Sequence, residues 1–242
     1  MIPKVIHYCW FGGNQLPESA NKCIKSWQLF FQDYEIHEWN ESNYDVKKIP
    51  YIAEAYEAKK YAFVSDYARF DILYHHGGVY FDTDVEVIKP FEDILAKGAF
   101  MGCETDGGDV NPGLGIAAAP GLGIYKEIID YYNTQHFIKE DGSLNMETVV
   151  TKTTRILAAH GLKNTAGIQQ VSEITVYPKE FFNPMDNNTG RRVITNNTHS
   201  IHWYMMSWMP KRQLFIRKIT RAFHRTFGVG CFAFIKGIIG RR

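Results

Sequence analysis

Residues 77–84 read Gly-Gly-Val-Tyr-Phe-Asp-Thr-Asp, and this stretch constrains the chain more than any other. A short β-forming run follows two glycines and ends in two carboxylates one residue apart. If the segment is extended, Asp82 and Asp84 face the same side, with Cα atoms roughly 6–7 Å apart. Carboxylates that close repel each other, and a divalent cation such as Mg²⁺ or Mn²⁺ relieves the repulsion. The stretch predicts a metal and phosphate site at a strand end, although a bare Asp-x-Asp is also common in solvated turns.

Apolar runs and amphipathic segments alternate along the chain, which predicts one α/β domain for most of its 242 residues. The predicted strands are 2–10, 33–39, 79–81, 85–88, 99–103, 116–119, 174–178, 193–195 and 200–203. The predicted helices are 18–31, 55–76 with a break near Tyr61, 123–132 and 146–160. The four cysteines are scattered without Cys-x-x-Cys spacing, so neither a disulfide framework nor a zinc site is indicated.

Asp66 and Arg69 are three residues apart in a helical segment and so share a face. An exposed ion pair is one interpretation. The other is a buried pair that holds sugar or ribose hydroxyls, and the mostly apolar residues 63–73 favour it because they leave little room for a solvated face.

Other polar and aromatic residues follow predicted strands. Trp10 precedes Gly12 and Gly13 at a strand end, where α/β sheets bind ligands, but a core tryptophan with a tight turn is equally compatible. Asn111 lies in the Gly- and Asp-rich loop 105–115, which could cover a substrate. His202 ends a strand, and Ser207 and Trp208 follow it.

The near-neutral net charge hides a division of charge along the chain. Nine of the 27 Lys and Arg residues and none of the 26 Asp and Glu residues lie in 211–242, which leaves residues 1–210 with a net charge of −8. In this tail Phe215, Ile219, Phe223 and Phe227 recur every four residues, opposite a basic stripe of Lys218, Arg221 and Arg225. The pattern predicts an amphipathic helix on an anionic membrane surface. The alternative is a tail packed on its own domain or on a partner subunit. Nucleic acid is not expected, because no base-reading module accompanies the charge.

Four stretches, taken together and in order, resemble one enzyme family: Ile-Pro-Lys-Val-Ile-His-Tyr-Cys-Trp-Phe-Gly-Gly at 2–13, Val-Ser-Asp-Tyr-Ala-Arg at 64–69, residues 77–84, and His202 with Ser207-Trp208. They resemble glycosyltransferase family 32, the Asp-x-Asp sugar transferases that include bacterial capsule and surface-polysaccharide enzymes. A more distant similarity is to the large clostridial glucosylating toxins and fungal mannosyltransferases. The resemblance implies a GT-A fold: a single Rossmann-like domain, residues 1–210, with a mixed, mostly parallel sheet, followed by the amphipathic tail, residues 211–242.

The resemblance also implies roles for residues. Trp10 would stack on the nucleotide base beside Gly12 and Gly13, and Asp66 and Arg69 would hold ribose or sugar hydroxyls. Asp82 would contact the sugar and reach the metal through water, and Asp84 would bind the metal directly with His202 as a further ligand. Asn111 is a further catalytic candidate, while Ser207 and Trp208 would close over the diphosphate.

The implied activity is metal-dependent retaining transfer of a hexose, galactose or an N-acetylhexosamine, from a UDP-sugar. The acceptor would be a lipid-linked or surface oligosaccharide in bacterial polysaccharide synthesis, with Mn²⁺ or Mg²⁺ as cofactor. Expected partners are the donor, an oligosaccharide or glycolipid acceptor and the inner membrane surface. The expected location is cytoplasmic, peripheral on that face of the membrane, since the N-terminus is too polar and short for a signal peptide. The alternatives are a haloacid-dehalogenase-like phosphatase, whose Asp-x-Asp is usually nearer the N-terminus, and an inactive sugar-nucleotide-binding protein.

Overall fold

A computed structural model describes residues 1–205, 211–228 and 231. Its strands are β1 (Val5–Cys9), β2 (Glu35–Trp39), β3 (Gly78–Tyr80), β4 (Val85–Val87), β5 (Phe100–Gly102), β6 (Ile116–Ala118), β7 (Gln169–Val171), β8 (Ile174–Tyr177) and β9 (Ser200–His202). Its helices are α1 (Glu18–Phe30), α2 (Pro50–Glu57), α3 (Tyr61–His76), α4 (Glu92–Leu95), α5 (Gly123–Asn133), α6 (Val149–Ala159) and α7 (Lys211–Phe227).

Seven strands form the central sheet in the order β2-β1-β3-β6-β5-β8-β7. Strand β1 pairs in parallel with β2 and β3, and β5 pairs in parallel with β8. Strands β6 and β7 run antiparallel to their neighbours. Five strands therefore run one way and two the other. The α/β class and the mixed, mostly parallel sheet are confirmed, in agreement with the expected GT-A fold.

Alternating side chains of the strands pack into two cores, one on each face of the sheet. On one face Tyr80 and Ile116 pack with apolar residues of α2, α3, α5 and α6. On the other, Val79 and Phe81 pack with Trp27 of α1 and with β4, which pairs with β9 in a small second sheet. The Trp27 indole N–H donates to the Val85 carbonyl oxygen at 2.8 Å, which ties α1 to β4.

The antiparallel pair β4–β9 matters most for the site. Its register places Val85 opposite His202, although 117 residues separate them in sequence. His202 is thereby brought beside the residue that precedes Val85, which is Asp84.

Two sequence predictions about the elements have definite outcomes. The break near Tyr61 is confirmed: α2 ends at Glu57, α3 begins at Tyr61, and Lys59 between them has a positive φ of 57°. The strand predicted at 193–195 is wrong. These residues pair with no strand, and the Val193 N–H donates to the Pro184 carbonyl within a loop.

Candidate active site

The two carboxylates of the Asp-x-Asp lie in a turn. Strand β3 ends at Tyr80, and the Val85 N–H donates to the Asp82 carbonyl oxygen at 3.0 Å, closing a turn over residues 82–85. The expected extended geometry is therefore wrong. The turn still brings Asp82 and Asp84 together, because each offers an oxygen atom in a group with a His202 nitrogen, and these atoms lie within 4.8 Å of one another.

Asp84 and His202 form the tightest pair of this group. His202 Nε2 lies 3.1 Å from Asp84 Oδ1, and the Met205 backbone N–H donates to Asp84 Oδ2 at 2.8 Å. Burial by itself would raise the pKa of Asp84, but His202 and the Met205 N–H outweigh it and hold that pKa below its usual value. Burial opposes charge on His202, yet Asp84 raises the pKa of the imidazole. The site thus favours an ionised Asp84.

A buried ion-pair network joins α3 to the Asp-x-Asp turn. Arg69 Nη2 lies 3.0 Å from Asp66 Oδ1 and 3.2 Å from Asp82 Oδ1, and the Tyr80 hydroxyl donates to the same Asp82 oxygen at 3.0 Å. The Arg69 side chain is only 4% exposed. The surface ion-pair interpretation of Asp66 and Arg69 is therefore excluded, and the pair is buried; its contact with sugar or ribose hydroxyls stays a prediction.

Burial raises the pKa of Asp66 to about 6, with Arg69 limiting the rise. Burial also disfavours charge on Arg69, but Asp82, Tyr80 and Asp66 raise the pKa of its guanidinium above its usual value. Arg69 Nη1 is fully buried and has no hydrogen-bond partner among the residues that the structure describes. Because unsatisfied buried donors are uncommon, this nitrogen is a candidate donor for a ligand oxygen.

The loop between β5 and β6 forms a further wall. Asn111 Oδ1 accepts from the Gly113 N–H at 2.8 Å at the start of a short 3₁₀ helix, Pro112–Leu114. A Cβ atom added to Gly113 would overlap Asp82 Oδ2. The predicted residue Asn111 thus lies next to the Asp-x-Asp turn, because Gly113 contacts both Asn111 and Asp82.

Glu104 is a carboxylate of this wall that sequence reasoning missed. Its Oε2 accepts from Asn111 Nδ2 at 2.8 Å, and its backbone oxygen accepts from Asn183 Nδ2 at 2.9 Å. Burial raises the pKa of Glu104, although the Asn111 hydrogen bond and His202 lower it in part. Its charge in turn raises the pKa of His202. Seven residues separate Glu104 from Asn111, and no pattern in that loop indicates the contact.

Lys152 of α6 is a second missed residue, buried to 0% exposure. Its Nζ donates to the Tyr51 hydroxyl at 3.3 Å and to the Glu147 carbonyl oxygen. Burial lowers the pKa of Lys152, Asp66 opposes that shift, and Lys152 in turn lowers the pKa of Asp66. Its position three residues after Val149, on the apolar face of a predicted helix, was the available signal.

Trp10 and the two glycines lie at the same sheet edge as Asp82, since β1 and β3 are parallel neighbours. The half-buried Trp10 donates its indole N–H to the Asn14 carbonyl oxygen at 2.6 Å. Gly12 donates its N–H to Glu41 at 2.5 Å and faces the Tyr61 ring, whereas Gly13 faces open space. Of the predicted residues, Ser207 and Trp208 lie outside the described residues.

Comparison with known proteins agrees with this geometry. Residues 17–101 match the family model described as "Glycosyltransferase sugar-binding region containing DXD motif". The matched part includes α1, α3 and the whole Asp-x-Asp turn. The resemblance to the Asp-x-Asp glycosyltransferases is thus confirmed. It favours that family over the phosphatase alternative.

Curated relatives share part of the chain. Inositol phosphoceramide mannosyltransferase 1 of Schizosaccharomyces pombe is 33% identical over 111 residues, which is 41% of this chain and 33% of that protein. Uncharacterized glycosyltransferase L373 of Acanthamoeba polyphaga mimivirus is 32% identical over 111 residues, which is 42% of this chain and 43% of that protein. The matches therefore span less than half the length of these relatives.

Among solved structures, the chain matches a glycosyltransferase involved in the glycosylation of the major capsid of PBCV-1. It is 12% identical, with a TM-score of 0.49, and the match covers 90% of this chain and 100% of that one. The PaToxG glycosyltransferase is 18% identical, with a TM-score of 0.44, and the match covers 65% of this chain and 69% of that one.

Proposed function

We propose that this protein is a metal-dependent retaining hexosyltransferase that uses a UDP-sugar donor. The observation that carries the proposal is the group formed by Asp82, Asp84 and His202, whose ligand atoms lie within 4.8 Å of one another. Two carboxylates and one imidazole form a donor set that fits Mn²⁺ or Mg²⁺. The buried, unsatisfied Arg69 Nη1 beside it fits a donor-sugar or ribose hydroxyl.

Each residue has a task in this scheme. Asp84, His202 and Asp82 would hold the cation, because their ligand atoms lie within 4.8 Å of one another. A divalent cation in this position would offset the negative charge that builds on the leaving diphosphate. Asp66 and Arg69 bind donor hydroxyls, and Arg69 also keeps Asp82 in place through its 3.2 Å contact. Trp10 stacks on the base.

The proposed reaction is same-face attack. The bond between the anomeric carbon and the phosphate oxygen breaks, and the acceptor hydroxyl oxygen bonds to the carbon on the face that the phosphate leaves. The hydroxyl proton passes to the departing phosphate. Trapping a covalent glycosyl-enzyme adduct by mass spectrometry would refute this route.

The acceptor in this proposal is an oligosaccharide or glycolipid of surface polysaccharide synthesis, reached at the cytoplasmic face of the membrane. What supports it is the resemblance to polysaccharide enzymes and the basic tail of the chain.

A panel of nucleotide sugars with Mn²⁺ tests the donor proposal, with hydrolysis and thermal stabilisation as readouts. We expect a UDP-hexose to stabilise the protein and to be slowly hydrolysed only when the metal is present. Phosphate release from a generic phosphoester, with no effect of any nucleotide sugar, would contradict the proposal.

A further inference from the structure

Helix α7 contacts the rest of the protein through its polar side. Arg221 donates from Nε to the Asn187 carbonyl oxygen at 2.9 Å and from Nη2 to Asn187 Oδ1 at 2.8 Å. Arg191 Nη2 donates to the Arg225 carbonyl oxygen at 2.8 Å. The loop 186–191 therefore holds the helix at two points, both on the side of Arg221 and Arg225.

The apolar side of α7 faces the solvent. At 100° per residue, Phe215, Ile219 and Phe223 fall within one 80° arc, and Arg221 lies roughly opposite that arc. Phe215 is 64% exposed and Phe227 68%, and Ile216, Ile219 and Phe223 are also exposed. Surface helices of globular proteins normally turn the apolar stripe toward the core. Helix α7 is oriented the other way.

The exposed apolar residues of α7 are Phe215, Ile216, Ile219, Phe223 and Phe227, and we call them together the apolar platform. Val193 and Ile194, two and three residues after Arg191 in the chain, are also 70% and 55% exposed. Contiguous exposed apolar residues on a soluble domain mark an interaction surface.

We propose that the apolar platform lies on an anionic lipid bilayer. Charge complementarity selects this occupant, because residues 211–242 carry nine Lys and Arg residues and no acidic residue. Anionic lipid attracts such a segment, and exposed phenylalanine and isoleucine enter the boundary between headgroups and acyl chains. The Arg221–Asn187 and Arg191–Arg225 contacts then orient the catalytic domain against the lipid. Among the helices of residues 1–205 and 211–228, none is long and apolar enough to cross a membrane.

The proposal does not depend on the transferase activity and is tested without a substrate. The full chain is sedimented with vesicles of phosphatidylcholine alone, or of phosphatidylcholine mixed with phosphatidylglycerol, at low and high salt. We expect binding only to the anionic vesicles, weakened by salt. Phe223→Ser should lower the partition coefficient roughly tenfold, as expected for loss of most of one buried phenylalanine side chain.

Leu29→Ser is the matched control, since Leu29 of α1 is 62% exposed and lies outside the platform. It should bind vesicles like the unmodified protein, and so should Asp84→Asn, which removes the proposed metal ligand. Equal binding by Phe223→Ser and the unmodified protein would overturn the proposal. Equal binding of the unmodified protein to neutral and anionic vesicles at low salt would overturn it as well. A dimer in sedimentation analysis that Phe223→Ser dissolves, with no vesicle binding, would replace the lipid by a second copy of the chain.

Discussion

Gly113 lies against the carboxylate of Asp82, and its missing side chain leaves room for that carboxylate. A Cβ atom there would overlap Asp82 Oδ2 and approach Asn111 Oδ1 to 3.0 Å. Gly113→Ala should therefore displace Asp82 and lower kcat/KM about tenfold or more, which corresponds to roughly 1.4 kcal/mol of transition-state stabilisation. The matched control is Gly167→Ala, because no atom lies within 4 Å of a Cβ at Gly167. Steady-state kinetics that do not distinguish the two variants would contradict this role.

The contact between Glu104 and Asn111 gives a second prediction at this scale. In Glu104→Gln the amide oxygen can still accept the Asn111 N–H, so activity should stay within about threefold of the unmodified protein. Glu104→Ala removes the acceptor and should lower kcat about tenfold, because one hydrogen bond contributes roughly 1 kcal/mol to the position of Asn111. If the glutamine variant were as impaired as the alanine variant, the charge of Glu104 would matter beyond orienting Asn111.

The sequence predicted part of the residues that meet at this site. Asp82, Asp84, Asp66 and Arg69 stand in motifs that carry their own signal, whereas His202 was expected there only because of the family resemblance. Glu104 and Lys152 were missed for a physical reason: their contacts with Asn111 and Tyr51 cross loops and helices. Side-chain contacts of that kind leave no periodic pattern in a single sequence.

Helix α3 carries Asp66 and Arg69, and a buried carboxylate fixes the helix to the loop after β2. Asp71 accepts from Lys48 Nζ at 2.8 Å and from the Tyr44 hydroxyl at 2.8 Å, with its side chain 5% exposed. Asp71→Asn should cost about 2–3 kcal/mol of unfolding free energy, because it leaves Lys48 and Tyr44 with a weaker acceptor. The cost is lower than for a fully buried ion pair because Lys48 is half-exposed.

Asp130→Asn is the control for that prediction. Asp130 pairs with Lys126 on the surface of α5, with side chains 53% and 50% exposed. Its loss should change the unfolding free energy by less than about 0.5 kcal/mol. Urea denaturation measures both variants, and equal costs would show that the Asp71 network does not fix α3.

Helices and strands with a strong periodic pattern were predictable from the sequence. Short segments and the hydrogen-bonded turn at the Asp-x-Asp were not. The gap between α2 and α3 was anticipated near Tyr61. The Asp-x-Asp turn was expected to be extended, because a single sequence does not show that Val85 leaves β3 to pair with β9. The β-branched run at 193–195 misled for a related reason, since Val193 is exposed in a loop and has no strand to pair with.

His7 of β1 contacts both β2 and the turn between α3 and β3, and it is neutral in the folded protein. Its protonation therefore affects the stability of the whole molecule. The Trp39 indole N–H donates to His7 Nδ1 at 3.0 Å, so His7 Nε2 carries the hydrogen donated to the Gly77 oxygen at 2.9 Å. Burial lowers the pKa of His7 to about 4 from 6.5. The unfolded chain therefore binds more protons between pH 4 and 6.5, and stability rises with pH across that window.

Acidification should thus lower the unfolding free energy of the unmodified protein more than that of a variant without this imidazole. Between pH 7 and pH 5 the stability advantage of the unmodified protein over His7→Gln should shrink by about 2 kcal/mol. Urea denaturation at the two pH values measures it. An advantage that stays constant would show that His7 accepts a proton in the folded protein as easily as in the unfolded chain.

The central claim is that Asp84, with Asp82 and His202, holds a divalent cation that binds the diphosphate of a sugar donor. Mn²⁺ titration of UDP-hexose turnover tests it most directly in three proteins: unmodified, Asp84→Asn and Asp130→Asn. Asp130 is a suitable control because it lies on the surface of α5 with its side chain 53% exposed. We predict saturable activation by Mn²⁺ for the unmodified protein and Asp130→Asn, and a loss of roughly 100-fold or more in kcat for Asp84→Asn while its circular dichroism spectrum still shows the folded protein. Near-normal Mn²⁺-dependent turnover by Asp84→Asn would contradict the account.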